Sequence, residues 1–137
     1  MLIGLNTYEF SFSSCIAVVG TTLSAALGGW DIAMKLLVFL MVFDYITGFL
    51  GAVKTHSVDS EVMFWGGLRK GIILAVIIVA ILLDERVGNT DPLFRTMAIY
   101  FYTGREGISV IENLGILGVY LPPGITKALK QLQKKGK

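Results

Sequence analysis

The feature that most constrains this chain is an apolar stretch of 18 residues with one acid near its centre. The stretch runs from Leu36 to Val53 and reads LLVFLMVFDYITGFLGAV. As a helix rising about 1.5 Å per residue it would be roughly 27 Å long, close to the hydrocarbon thickness of a bilayer. It lacks the polar face that a helix on the surface of a soluble protein shows. We therefore predict that this segment spans a membrane.

The acid in this stretch, Asp44, predicts a bundle of helices. A carboxylate at the centre of a bilayer costs about 2.5–3.5 kcal/mol on insertion scales, so such groups face protein or water and pair with another group. A single anchor helix offers neither protein nor water at that depth. We expect Asp44 to lie inside a bundle or beside a water-filled cavity.

The composition supports a small membrane protein made of one domain. The 137 residues are 54% hydrophobic and only 16% charged, whereas about a quarter of the residues in ordinary soluble domains are charged. The expected fold is an all-α membrane protein with three to four transmembrane helices and a cationic amphipathic helix at the C-terminus. The predicted ranges within residues 1–137 are about 11–29, 32–53, 62–83 and 92–120, followed by an amphipathic tail at about 124–135.

The first predicted helix carries two rows of small residues at helical spacing. Such rows let helix backbones approach closely within lipid. Two interpretations stay open: a helix packed in the bundle, or a marginal helix that changes its environment or lines water. The rows form a predicted helix-packing seam that comprises Ala17, Gly20, Thr21, Ser24, Ala25, Gly28 and Gly29.

Acidic residues mark the expected starts of the later helices. Asp31 is placed to cap the second helix, and Asp59 or Ser60 to start the third. Asp91 is the expected cap of the fourth helix, because Pro92 after it suits the first helical position.

The fourth predicted helix and the tail carry most of the other notable charges. Polar residues fall along one side of the fourth helix, and together with Asp44 we predict that they form an intramembrane polar network or line a pore: Arg105, Glu106, Ser109, Glu112 and Asn113. The tail combines aliphatic residues at amphipathic spacing with lysines and no acid. We expect it to lie on an anionic membrane surface through Lys127, Lys130, Lys134 and Lys135.

The basic residues also predict the orientation. Lys54, Arg69 and Lys70 follow the second helix, and the last two are expected to snorkel toward lipid headgroups. The positive-inside rule then places this loop and the C-terminus in the cytoplasm. The N-terminal side of the first helix is left open, because residues 1–10 contain no lysine or arginine.

No catalytic or metal-binding pattern is found in the sequence. There is no CxxC pair, no HxxxH, no phosphate-binding glycine loop and no nucleophile elbow. The only histidine, His56, lies in a polar loop and has no second ligand nearby. We expect no enzymatic activity, no metal, no cofactor and no binding of nucleic acid, since lysines interleaved with aliphatic residues beside a membrane segment fit lipid headgroups better.

Several short motifs resemble the phage lysis and toxin secretion holin family. They are DYITG at residues 44–48, GGLRKG at residues 66–71, Asp84 after an aliphatic helix, and REGISVIENLG at residues 105–115, followed by Gly118, Val119 and Pro122. The resemblance covers roughly residues 32–130.

This resemblance implies a multi-pass protein of the bacterial cytoplasmic membrane that forms homo-oligomers and opens a lesion at a set time. A peptidoglycan-degrading endolysin, or a toxin in some relatives, then crosses the lesion, and an antiholin is a further implied partner. Three alternatives stay open: an antiholin, a small ion-channel or accessory subunit, and a passive membrane scaffold.

Overall fold

The computed structural model describes residues 7–135, and the side chain of Lys135 lies outside that description. The described residues form helices and connecting turns with no strand, and α1, α2 and α3 are each long and apolar enough to cross a membrane. This confirms the predicted all-α membrane fold. The helices in chain order are α1 (Thr7–Ala26), α2 (Ile32–Lys54), α3 (Ser60–Val87), α4 (Leu93–Ile116) and α5 (Pro123–Lys135).

Helices α2, α3 and α4 pack together as a three-helix bundle. The start of α4 contacts the start of α2 through Arg95 and Asp31, and the end of α4 accepts a 2.7 Å hydrogen bond from Lys54 Nζ at the carbonyl of Ile116. The two helices therefore run parallel and side by side over their whole length. Helix α3 runs in the opposite direction, because its Lys70 reaches the middle of α2 and its Asp84 reaches the start of α4.

A buried apolar cluster fills the half of the bundle nearest the start of α2. All six of its members are at most 5% exposed, and they come from the α1–α2 turn, α2, α3 and α4: Leu27, Met34, Leu37, Met41, Ile77 and Ile99. Lipid tails are as apolar as these side chains, so within a membrane the cluster stabilises the bundle through close van der Waals packing and not through removal from water. Polar contacts between the helices lie on both sides of it, at Asp31, Asp84 and Arg95 near the start of α2 and from Asp44 onward toward its end.

Helix α5 folds back along α4 instead of extending away from the bundle. Leu129 is buried in a second cluster with Leu40, Val110 and Leu114. The approach is close, since a Cβ atom at Gly107 would lie 2.8 Å from Cδ2 of Leu129. This position differs from the isolated surface helix that the amphipathic pattern favours, because glycines in α4 leave room for a second helix.

The helix caps agree with the predictions in two cases and contradict them in a third. Asp31 caps α2 by accepting a 2.9 Å hydrogen bond from the backbone N–H of Met34, and Asp59 caps α3. The prediction for Asp91 is wrong, because α4 begins at Leu93 with no side-chain cap from its own sequence.

The carboxylate that satisfies the start of α4 comes from α3. The side chain of Asp84 accepts hydrogen bonds from the backbone N–H groups of Phe94 and Arg95, at 2.9 and 3.0 Å. It also accepts one from Nδ2 of Asn89. A carboxylate of the preceding helix therefore takes the role that local sequence assigned to Asp91, and it also fixes the angle between the two helices.

Two helix ends also differ from the predicted ranges. Helix α3 continues through the charged residues after Asp84 and ends at Val87, where Gly88 adopts a left-handed φ of 81°. Helix α4 ends at Ile116, well before Pro122, and Gly118 has a left-handed φ of 80° there. Only glycine adopts this conformation without strain, so it ends a helix earlier than a later proline would.

Helix α1 lies outside the bundle. It begins at Thr7 and ends at Ala26, and none of its residues is buried. The helix is therefore not packed in the bundle of its own chain, which was one of the two interpretations of this segment. The turn that follows α1 does pack against the bundle, because its Leu27 is 2% exposed and belongs to the core cluster.

Candidate functional site

A cluster of three charged side chains lies in the middle of the bundle. Nζ of Lys70 on α3 lies 2.8 Å from Oδ2 of Asp44 on α2 and 2.6 Å from Oε2 of Glu106 on α4. The three side chains are 17%, 15% and 8% exposed, respectively. One ammonium group thus joins all three long helices, and the cluster carries one formal negative charge.

Asn113 extends this cluster along α4 toward the end of α2. Its Nδ2 donates to Oδ1 of Asp44 at 2.9 Å and to the backbone carbonyl of Asp44 at 3.1 Å. It also lies 3.1 Å from Oγ1 of Thr47, which is buried and donates to the carbonyl of Phe43 at 2.7 Å. Both oxygens of the Asp44 carboxylate therefore have partners, as a carboxylate inside a membrane protein requires.

The cluster lies near the middle of the predicted membrane span. Asp44 is separated from Lys54, at the end of α2, by about 15 Å of helix rise. Glu106 lies level with it because Lys70 contacts both carboxylates. Since the hydrocarbon core of a bilayer is about 30 Å thick, a transmembrane α2 places all three charges close to its centre.

A cleft of about 630 Å³ opens beside the cluster, between α2, α3 and α4. It extends from the charged cluster to Ser57 and Asp59 in the α2–α3 connection. Arg105, Ser109 and Asn113 line its α4 side. Apolar residues, among them Val62 and Ile72, complete the lining. The cleft is therefore a mixed surface whose polar groups extend from the predicted cytoplasmic end of the bundle to the charges at its middle.

The residues predicted for a polar network occupy different positions in this site. Asp44, Glu106 and Asn113 belong to the hydrogen-bonded cluster, and Arg105 and Ser109 line the cleft. Glu112 is exposed on α4. Among residues 7–134, no salt bridge joins Arg105 or Glu112 to another side chain. Lining of a pore by these residues stays a prediction.

Lys70 is the residue of this site that sequence reasoning missed. It was expected to snorkel toward lipid headgroups, but it bridges two carboxylates inside the bundle. The sequence could have indicated this pairing, because the predicted second helix contains the acid Asp44 and the third contains Lys70. Opposite charges on neighbouring helices stabilise each other within lipid.

A second ionic contact fastens the α1–α2 turn to α4. The guanidinium group of Arg95, a residue that is 6% exposed, contacts both carboxylate oxygens of Asp31, at 2.9 and 3.3 Å. It also donates to the backbone carbonyls of Leu27 and Gly29. The hydrogen bond from Arg95 is the main cause that lowers the pKa of Asp31 below its ordinary value.

The part of the predicted packing seam that lies on α1 is not buried in the bundle. The seam residues on α1 are exposed or half-buried, and a Cβ atom at Gly20 would meet nothing within 4 Å. Gly28 and Gly29 lie in the turn after α1 and have left-handed φ values of 81° and 105°. A Cβ atom at Gly28 would lie 2.6 Å from Nε of Arg95. The absence of a side chain at Gly28 therefore allows both the tight turn and the close contact of this turn with α4. The other interpretation, a marginal helix that changes its environment or lines water, stays a prediction.

The predicted basic residues of the tail are found on α5. Lys127, Lys130 and Lys134 are exposed, while the side chain of Lys135 lies outside the described part. Their contact with anionic headgroups stays a prediction. Within the described residues, no three His, Cys, Asp or Glu side chains are placed to hold a metal ion.

Comparisons with known proteins identify the family. The sequence model of the bacteriophage holin family matches residues 21–134. An uncharacterized 14.9 kDa protein in the nagH 3′ region of Clostridium perfringens is 39% identical over 120 residues, which cover 88% of this chain and 91% of that protein. A protein of Bacillus phage phi105 named "Probable holin" is 31% identical over 100 residues, 73% of each chain. No solved structure matches the chain. Since the family match covers the three helices of the bundle and nearly all of the docked α5, the chain belongs to the bacteriophage holin family.

Proposed function

We propose that this protein oligomerises in the bacterial cytoplasmic membrane and opens a lesion through which a peptidoglycan-degrading endolysin, or a toxin, leaves the cell. Membership of the holin family and the match to a phage protein named "Probable holin" support this function. The endolysin would be a functional partner that uses the lesion and need not touch the holin. An antiholin would act by joining the same assemblies without opening them.

The observation that carries the proposal is the Asp44–Lys70–Glu106 cluster, which joins three helices beside a partly polar cleft. In a single copy, the charges satisfy one another. When several copies meet, the polar surfaces can face shared water instead of each other, whereas fully aliphatic helices would offer water no favourable contact. Opening is then a shift between two populations, one closed and paired and one lined by water.

The proposed topology follows from charge and from helix direction. Lys54 lies at the end of α2, and Lys127, Lys130 and Lys134 lie on α5. The positive-inside rule assigns this end of the bundle to the cytoplasm. Helices α2 and α4 run parallel and α3 runs antiparallel, as three successive crossings require. Asp31 and Arg95 then lie at the outer end of the bundle. Helix α1 is the segment we expect to influence the time of triggering, since it lies outside the bundle.

The function is tested by expressing the protein in a bacterium together with a cytoplasmic endolysin. We expect an abrupt loss of respiration followed by release of the endolysin, and no release when the endolysin is expressed alone. Asp44→Ala should change the time of release at equal membrane content, because it removes one partner of Lys70. Ion flux without release of protein would contradict the proposal and indicate a channel subunit. Inhibition of another holin without any release would indicate an antiholin.

A further inference from the structure

The docked position of α5 brings a cationic helix to the middle of the bundle. Leu129 packs against Gly107, and Gln133 packs against Gly104, so α5 runs antiparallel to α4. These two glycines flank Glu106, which lies level with Asp44. The C-terminal half of α5 is therefore at the same depth as the charged cluster, about 15 Å from the cytoplasmic end of α2.

This docking is an integral part of the packing. A Cβ atom at Gly104 would overlap the backbone nitrogen of Gln133, so no other residue type fits here without a shift of the helices. Leu129 is 8% exposed and completes the cluster formed with Val110 and Leu114. Glycines that allow such close approach are typical of helices that pack tightly within a membrane.

The outward side of α5 cannot face acyl chains. Lys127, Lys130 and Lys134 are all exposed on this helix, away from the buried Leu129. Charged side chains at mid-bilayer depth are strongly unfavourable, and snorkelling relieves this only near the ends of a span. The docked helix therefore requires water, not lipid, on its lysine side.

A charged strip on α4 connects this side of α5 to the polar cleft. At 100° per residue, Arg105 and Glu112 fall between the side of α4 that carries Gly104 and the side that carries Ser109. Arg105 and Glu112 are exposed. The lysines of α5, this strip and the cleft thus lie next to one another around the same region of the bundle.

We propose that the docked α4–α5 hairpin forms the water-facing wall of the lesion, with Lys127, Lys130 and Lys134 turned toward the lumen. Copies assemble so that this charged surface faces water enclosed between them, while the apolar sides of α2 and α3 face lipid. This inference rests on the proposed holin function and assigns α5 to the lumen instead of the cytoplasmic membrane surface.

A cross-link between α4 and α5 separates these two locations. In a Cys15→Ser background, which removes the exposed native cysteine, the pair Gly107→Cys and Leu129→Cys would join the helices when oxidised, because a Cβ at Gly107 lies 3.1 Å from Cγ of Leu129. We expect the oxidised protein to release the endolysin as the reduced protein does. If oxidation blocks release while the reduced protein works, α5 must leave α4 and the proposal is wrong. The pair Val110→Cys and Leu129→Cys, from the same buried cluster, replaces the first if that variant does not accumulate in the membrane.

A labelling experiment then tests whether the lysine side of α5 meets water. Lys130→Cys and the matched control Val42→Cys are made in the same Cys15→Ser background, since Val42 is 53% exposed on the apolar side of α2 near the depth of Asp44. A charged maleimide is added once the lesion has opened. We expect Lys130→Cys to react at least ten times faster than Val42→Cys, and equal rates would overturn the proposal. If the unsubstituted protein itself releases no endolysin, the holin function fails and this inference fails with it.

Discussion

Removing the ammonium group of Lys70 tests whether the charged cluster stabilises the bundle. Lys70→Met keeps much of the length of the side chain but leaves the carboxylates of Asp44 and Glu106 without their shared cation, which lies 2.8 and 2.6 Å from them. Breaking a buried ion pair by removing one partner costs about 3–5 kcal/mol. Because the side chains are only 8–17% exposed, little of this cost is recovered from solvent. We expect the folded protein to lose about 4 kcal/mol, a factor of roughly a thousand in its equilibrium constant.

The assay is thermal unfolding of the purified protein in mild detergent, together with the time of lysis in cells at equal membrane content. A loss of this size should lower the melting temperature by on the order of 10 °C. The matched control is Lys35→Met, because Lys35 is exposed on α2 and has no salt bridge within the described residues. The triple variant Asp44→Asn, Lys70→Met and Glu106→Gln should recover much of the stability, since it leaves no unpaired charge.

Two results would refute this reasoning. The first is a change in melting temperature for Lys70→Met no larger than that for Lys35→Met. The second is a triple variant as unstable as Lys70→Met alone, because the loss would then come from packing of the lysine stem and not from the unpaired carboxylates.

Three further predictions concern the contacts between helices. Gly104→Ala should push α5 off α4, since its Cβ would overlap the backbone nitrogen of Gln133. Trypsin should then cleave α5 faster than in the control Gly115→Ala, because a Cβ at Gly115 would meet nothing within 4 Å. Asp84→Ala should lower the melting temperature more than Asp91→Ala, because Asp84 binds the free N–H groups at the start of α4; equal effects would contradict this assignment. The contact of Asp31 with Arg95 lowers the pKa of Asp31 below 3.8, so its stabilisation is present above that pH and is lost as the pH falls through the lowered value. The melting temperature of the parent should therefore fall more between pH 7 and pH 3 than that of Asp31→Asn, and parallel curves would refute the contribution.

The membrane character of the chain and most of its helices can be predicted from sequence. Apolar length decides whether a helix can span a bilayer, and the stretch from Leu36 to Val53 has that length. A helix cap within one turn of the helix start depends only on neighbouring residues. The predicted caps Asp31 and Asp59 are therefore confirmed. The need for a partner to Asp44 is also a local conclusion, because it depends only on the cost of a charge in lipid.

The identity of that partner depends on tertiary structure. Lys70 is 26 residues from Asp44 in the sequence. It contacts Asp44 only because α3 runs antiparallel to α2 and packs at the relative position that brings these two residues level. The same is true of Asp84, which caps a helix that begins after Asp91, and of the contact between Gly104 and Gln133. A shift of one residue in register would turn any of these side chains to another side of its helix.

The sequence by itself thus determined that this chain is helical, enters a membrane and must compensate a charge at the centre of a span, since these properties follow from hydrophobic length and the cost of burying charge. Only the tertiary structure decided which groups compensate that charge, that α1 is left outside the bundle, and that α5 docks on α4. The physical reason is that pairing between helices is set by the relative register and rotation of segments far apart in the chain, which local composition does not encode.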